Sequence, residues 1–324
     1  MTGGAGYVGS HTCKMLVARG HEIVVYDNLS RGHREFAKWG TLIEGDLADT
    51  SLLERSLTDF AADAVIHFAA FAYVGESKAN PGMYYRNNVA GTLSLLDAMQ
   101  AARVGKLIVS STCATYGESS QLPISENTAQ NPINPYGRSK LMMEQMCRDF
   151  GEAHGLKYVA LRYFNASGCD PDCDIGERHD PEPHLIPRVL MAATGLLDAI
   201  DILGDDYPTP DGTCIRDYVH VTDLAEAHAA AADYLLHGGP ADAFNLGTGR
   251  GVSVREVIQC VEKITGHSVP VHIARRREGD PAILVADGKK ARATLGWSPG
   301  NSEIETIVRT AWQWHCRDHA LVGQ

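Results

Sequence analysis

A doubly wound parallel α/β sheet with a smaller C-terminal region is the fold class this sequence predicts, and three observations carry the prediction. A glycine turn, Gly3-x-x-Gly6-x-x-Gly9, opens the chain; strand-like and helix-like segments alternate from there to residue 165; and the alternation stops at a long polar stretch, "ASGCDPDCDIGERHDPEPHLIP". After the glycine turn, His11 to Gly20 reads as a helix with Gly20 past its end, and "HEIVVYDN" as a short apolar strand closing on Asp27. "TLIEGD" (41–46) is the next strand, Thr50 to Phe60 a helix, "AVIHFAA" (64–70) a strand, and Tyr84 to Arg103 a helix. "KLIVSST" (106–112) is a strand, Leu141 to His154 continues a helix, and "YVALRYFN" (158–165) is another strand. This spacing implies right-handed βαβ units and a sheet covered on both faces. A glycine turn of this kind follows a first strand, whereas here it opens the chain. The sequence therefore predicts a truncated first strand at the centre of the sheet, with weakened folding and weakened binding of whatever the turn holds.

Composition bounds the function. The chain has 324 residues, 44% of them hydrophobic and 21% charged, as an ordinary globular protein does. Lysine and arginine number 29 against 40 acidic residues, a net charge of −11, which disfavours nucleic acid as a partner. No apolar run reaches the ~18 residues needed to cross a bilayer and the N-terminus lacks the pattern of a signal peptide, so the expectation is a cytoplasmic protein without a membrane partner. The eight cysteines are scattered, which suits reduced thiols. Cys169 and Cys173 precede His179 and His184, but a C-x₃-C spacing is poor for zinc and no metal is expected.

Gly3, Gly6 and Gly9 before a helix, with Asp27 ending the next strand about 20 residues on, form a Rossmann-type dinucleotide turn. A carboxylate at Asp27 accepts from an adenosine ribose and repels a 2′-phosphate, so NAD is favoured over NADP. Tyr136 and Lys140 lie four apart just after Pro135, on one face of a helix's opening turns. A free phenol ionises near pH ~10, and a cation beside it favours the phenolate. Alone, Tyr-x-x-x-Lys is an ordinary feature of an amphipathic helix. Here Thr112 ends a strand upstream of it, at the carboxyl edge where ligands of such sheets bind.

In this order and spacing, "TGGAGYVGSH", "YYRNNVAGT", "SSTCATYG", "NPYGRSK", "LRYFN", "DGTCIRDYVHV" and "RRREGDPA" resemble the extended short-chain dehydrogenase/reductase superfamily and, within it, the UDP-sugar 4-epimerases. The resemblance spans essentially the whole chain. It implies that residues 1–165, with later segments returning, bind NAD, and that 166–324 mainly bind the UDP-sugar. Tyr136 is implied as the base at the sugar 4-hydroxyl, Thr112 as its partner on the 4-oxygen, and Lys140 as a bridge to the nicotinamide ribose that lowers the phenol pKa. For NAD, Tyr7 and Val8 match pyrophosphate contacts and Asp27 and Asn28 the ribose. Asp46 and Leu47 match the adenine wall, and Phe68, Ala69, Asn87 and Phe164 complete the shell. For the nucleotide sugar, Asn165 matches a phosphate and sugar contact, Arg216 and Arg277 the diphosphate arginines and Asp280 the uridine ribose contact, and His184 and Leu185 fall among the substrate-binding positions.

The chain departs from the family pattern at Ala72, where others carry lysine, at His184 for asparagine, and at Leu203 for an aromatic beside uracil. Leu284 falls where side-chain bulk decides whether N-acetylated sugars fit. The implied reaction is C4 epimerisation of a UDP-hexose, the glucose and galactose pair first, with UDP-pentoses and UDP-N-acetylglucosamine as alternatives. A 4,6-dehydratase would show a carboxylate beside Thr112, which "STCATYG" lacks; a non-catalytic NAD-binding protein would lose Tyr136 or Lys140. The resemblance also implies a homodimer built on two long helices per subunit.

Overall fold

In the computed structural model, residues 1–119, 121–277 and 279–320 are described. Apolar runs bounded by polar turns pair as the sequence pattern demands. Helix α1 (Tyr7–Ala18) leads to β1 (Val24–Asp27) and β2 (Thr41–Glu44), which pair in parallel with Val24 opposite Thr41. Helix α2 (Thr50–Asp59) then leads to β3 (Val65–His67), β4 (Lys106–Thr112) and β5 (Lys157–Tyr163). These three strands pair in parallel, and the late strand Asp242–Leu246 joins the outer edge of β5.

Met1 to Gly3 occupy the central slot between β1 and β3. Thr2 bridges Tyr26 on one side and His67 on the other. The Met1 ammonium donates to Val24 O at 2.9 Å, Tyr26 N donates to Met1 O at 2.8 Å, and Gly3 N donates to Tyr26 O at 2.9 Å. Toward β3, Thr2 N donates to Ile66 O at 3.0 Å and Phe68 N to Thr2 O at 2.8 Å. The slot is thus laced on both sides over the two residues next to the glycine turn. The resulting order is the doubly wound one, reversing direction at this slot.

Side chains alternate across the sheet with period two. Leu107 and Val109 of β4 face a core with Leu95, Met99, Met143 and Cys147, whereas Ile108 faces one with Leu16, Leu224 and Phe244. Full burial of each such side chain contributes roughly 1.5–3 kcal/mol. The helix Val221–Leu236 packs along α1 beneath the second face, so the chain returns to its first sheet after leaving it.

Three expected boundaries move. Helix α1 begins at Tyr7, since Gly6 already supplies the extended cap. The strand expected over 64–70 ends at His67, and Phe68 to Ala70 leave the sheet to wall a cavity. The helix expected from Tyr84 starts at Pro81 and runs through a π-helical turn, Tyr85–Ala90, before Gly91–Ala101.

Beyond Asn165 the elements are short. Ile200–Leu203 pairs with Val271–Ala274, and Ile215–Arg216 lies between Val252–Ser253 and Ile283–Leu284. The helices Leu185–Ala193, Val254–Thr265 and Ile304–Asp318 share a separate core around Ile186, Val257, Ile307 and Trp314. All eight cysteines are free thiols. Among the described residues no helix is long and apolar enough to cross a membrane.

Candidate active site

A cavity of about 840 Å³ opens at the carboxyl edge of the sheet and is walled by both regions. The glycine turn forms one end. Gly3 has φ +72°, and a Cβ there would stand 2.5 Å from Ala69 N; a Cβ on Gly9 would stand 2.2 Å from Gly3 O. Only glycine lets the turn fold this tightly. Gly6 caps α1 without a side chain, so the N–H groups of the first turn, at Tyr7, Val8 and Gly9, face the cavity wall that these residues line.

Asp27 is buried at the end of β1, where its carboxylate accepts from Ala5 N at 3.0 Å and Leu29 N at 2.9 Å. Burial raises its pKa and these two N–H groups act against the rise. Asn28, Leu47, Phe68, Ala69, Asn87 and Phe164 line the same end. Asp46 does not. Its exposed carboxylate accepts from Asn28 Nδ2 at 2.7 Å and Ala48 N at 2.9 Å, beside the wall residue Asn28. A close-approach glycine turn, bare helix N–H groups and a carboxylate at the strand end fit a dinucleotide.

At the other end stand the residues of the expected chemistry. Asn134 caps the helix Pro135–His154 by accepting from Gly137 N at 2.8 Å, which sets Tyr136 in the first turn. Tyr136 and Thr112 line the same cavity, and Thr112 Oγ1 accepts from Ala114 N at 3.1 Å. Lys140 is buried and donates to Ser110 O at 2.7 Å. Burial pulls its pKa down to about 7, with Glu144 acting the other way. Burial raises the Tyr136 phenol above its ordinary value, and the Thr112 hydroxyl opposes that. The Lys140 amine is held by the Ser110 carbonyl in the same cavity as the phenol.

The nucleotide-sugar candidates converge on the same space. Asn165, His184, Leu185, Leu203, Arg216, Arg277, Asp280 and Leu284 all line the cavity. Arg216 and Asp280 form an ion pair with each other, and Leu284 lies opposite Arg216 in register. Cys169 and Cys173 stay apart from the histidines. His179 and His184 instead meet Glu177 and Glu182, with ring centroids 4.9 Å apart.

Several supporting residues escaped the sequence reading. Buried Asn88 holds Phe71 N through Oδ1 at 2.8 Å and donates to Ser139 Oγ at 3.0 Å, tying the π-helical turn to the Tyr136 helix. Arg162 of β5 grips Glu144 at 2.6 and 2.9 Å and donates to Tyr116 Oη at 2.9 Å, while Ser111 donates to the same carboxylate. Glu144 was visible in principle, since it extends the Tyr136 and Lys140 register by another four residues. Arg31 stacks over Tyr73 at 5.2 Å and pairs with Glu76 at 2.5 Å, in a loop that carries no periodic signal.

Residues 1–247 match the family described as the NAD dependent epimerase/dehydratase family. The chain is 50% identical to a UDP-glucose 4-epimerase of Rhizobium meliloti, over 98% of this chain and 96% of that protein. Its fold is similar to the crystal structure of UDP-glucose 4-epimerase from Brucella ovis in complex with NAD, with TM-score 0.95, 56% identity and 97% of each chain covered. A UDP-glucose-4-epimerase from Stenotrophomonas maltophila, with bound NAD and formylated UDP-arabinopyranose, superposes with TM-score 0.96 at 38% identity, covering 99% of this chain and 98% of that one.

Proposed function

The chain belongs to the NAD dependent epimerase/dehydratase family, and on that footing we propose that it is a UDP-glucose 4-epimerase, an NAD-dependent isomerase that interconverts UDP-galactose and UDP-glucose. The observation that carries the reading is that Tyr136, Thr112 and Lys140 line one cavity with the glycine turn.

NAD would be held by the N–H groups of Tyr7 and Val8, by Asp27 and Asn28 at the ribose, and by the apolar wall of Leu47, Phe68, Ala69 and Phe164, with Asn87 completing it. When bound, it supplies the hydride acceptor and donor that C4 chemistry requires, and a positive charge near Tyr136. Tyr136 takes the proton of the sugar 4-hydroxyl and later returns it, while Thr112 holds the 4-oxygen by hydrogen bond. Lys140, fixed on Ser110 O, orients the ribose edge of the site. Arg216 and Arg277 pair with the diphosphate, for which a planar guanidinium is suited. The Arg216–Asp280 pair must loosen to let Asp280 reach the uridine ribose. Asn165, His184, Leu185 and Leu203 complete the nucleotide wall, and Leu284 lines the sugar end with them.

Residues 1–165 and the returning segments form the NAD half, and 166–324 mainly the sugar half. Exposed Leu93 and Met142, on Gly91–Ala101 and Pro135–His154, support a homodimer across these two helices. Purified protein given UDP-galactose without added reductant should yield UDP-glucose by NMR. If instead only UDP-pentoses or UDP-N-acetylhexosamines turn over in parallel assays, the hexose assignment is wrong.

A further inference from the structure

Behind the cavity wall, the helix Pro135–His154 meets β4 and β5 through buried charge. Glu144 stands one turn beyond Lys140 and two beyond Tyr136, on one face of that helix. Its side chain is only 4% exposed. Ser111 of β4 and Arg162 of β5 lie opposite each other in the sheet register, and both reach it. Ser111 Oγ donates to Glu144 Oε1, and Arg162 donates through Nε to Oε1 at 2.9 Å and through Nη2 to Oε2 at 2.6 Å. Gln130 Nε2 donates to Oε2 at 3.2 Å, so the carboxylate is saturated.

A strand turns successive side chains to opposite faces, so Ser111 meets Glu144 while Ser110 and Thr112 line the cavity. The Ser110 carbonyl in turn holds Lys140 Nζ at 2.7 Å. A buried ion pair is weak evidence for stability, because apolar groups of similar volume often serve as well. The placing of this pair gives it another use. Among the described residues, Glu144 is the charged group that acts on buried Lys140, and it favours the ammonium that burial disfavours. The other titratable groups around the two are neutral. Burial lowers His67 of β3, which faces Lys140, to about 3. Burial raises Cys147 and Tyr158, which face Glu144, and Tyr116, which accepts from Arg162 Nη1 at 2.9 Å.

We propose that Glu144 is a positioning residue for the C4 chemistry, braced by Ser111 and Arg162 so that it keeps Lys140 charged and fixed in the wall shared with Thr112 and Tyr136. Glu144 takes this role on the epimerase reading above, yet what it acts on, the charge of Lys140, is measurable without any sugar nucleotide. Without the carboxylate, burial acts unopposed and the ammonium gives up its proton at lower pH. The alkaline limb of kcat should move down with it. A residue that only held the fold together would lower kcat alike at every pH.

The NAD-loaded protein, made with lysine carrying a carbon-13 label at Cε, would be titrated by NMR, the Lys140 resonance being assigned by its loss in Lys140→Met. The Lys140 midpoint should fall by about one pH unit or more in Glu144→Gln. It should also fall when Glu144→Gln is combined with Arg162→Met, which leaves no buried charge unpaired. On the alkaline side, kcat for UDP-galactose should then drop about tenfold, with NAD content and KM little changed. An unmoved midpoint in a variant that keeps its NAD, or a kcat lowered equally at every pH, would overturn the proposal. Should Glu144→Gln not fold, the double variant decides. Should the unaltered protein not turn over UDP-galactose, the epimerase reading fails by itself, and the NMR midpoint still decides whether Glu144 sets the charge of Lys140.

Discussion

Tyr136 sits in surroundings that keep a phenol protonated, with Thr112 in the same cavity wall and Lys140 held on the Ser110 carbonyl. Removing the phenol oxygen therefore removes the proton acceptor while leaving the ring, 6.4 Å from that of Tyr84, in place. Tyr136→Phe should lower kcat by about 10²-fold or more with its NAD content unchanged; steady-state rates and the cofactor released on denaturation check this. A near-normal rate would remove Tyr136 from the chemistry. Tyr136, Lys140 and Asp27 were legible because each stands at a fixed offset from a helix start or strand end. Arg162 and Asn88 were not, since their partners lie 18 and 51 residues away and only the folded chain brings them together. Asp46 stands exposed beside Asn28, one step outside the cavity wall itself.

The helix Pro135–His154 positions this chemistry, and its register depends on one cap. Asn134→Ala should remove the bond to Gly137 N and cost about 1 kcal/mol. Thermal unfolding should show a lower midpoint, by about 1–2 °C for a chain of this size, and kcat should fall with it because Tyr136 lies two residues on. An unchanged midpoint would mean that Pro135 alone starts the helix. The long elements of the first half were legible because apolar runs such as "KLIVSST" have the length to show a period. The π-helical turn Tyr85–Ala90 was not, since one extra residue per turn leaves no signature in a helical pattern. The two- and three-residue strands of the second half are shorter than any period that could announce them.

At the scale of the whole molecule, burial has trapped five neutral imidazoles. Burial lowers His11 and His67 to about 3, and His220, His228 and His315 to about 4. The unfolded chain takes up protons below pH ~6.5 that the folded chain refuses, so stability is full above that pH and lost as pH falls toward 4. Each ring contributes up to about 1.4 kcal/mol per pH unit in that window. Asp27 and Asp217, raised by burial, act in the opposite sense. Five rings could exhaust a stability of ~5–15 kcal/mol within about two pH units, so the urea midpoint should drop steeply between pH 6.5 and 4.5. A flat profile would mean that the rings take up protons without unfolding. The return of the chain to its first sheet has another consequence, one of connectivity. Strand Asp242–Leu246 on β5 and helix Val221–Leu236 on α1 work as a clasp, fastening the later part of the chain to the earlier one. A backbone break near exposed Leu196 would leave two polypeptides but a single object, in which no covalent link is needed to keep the halves of the cavity face to face.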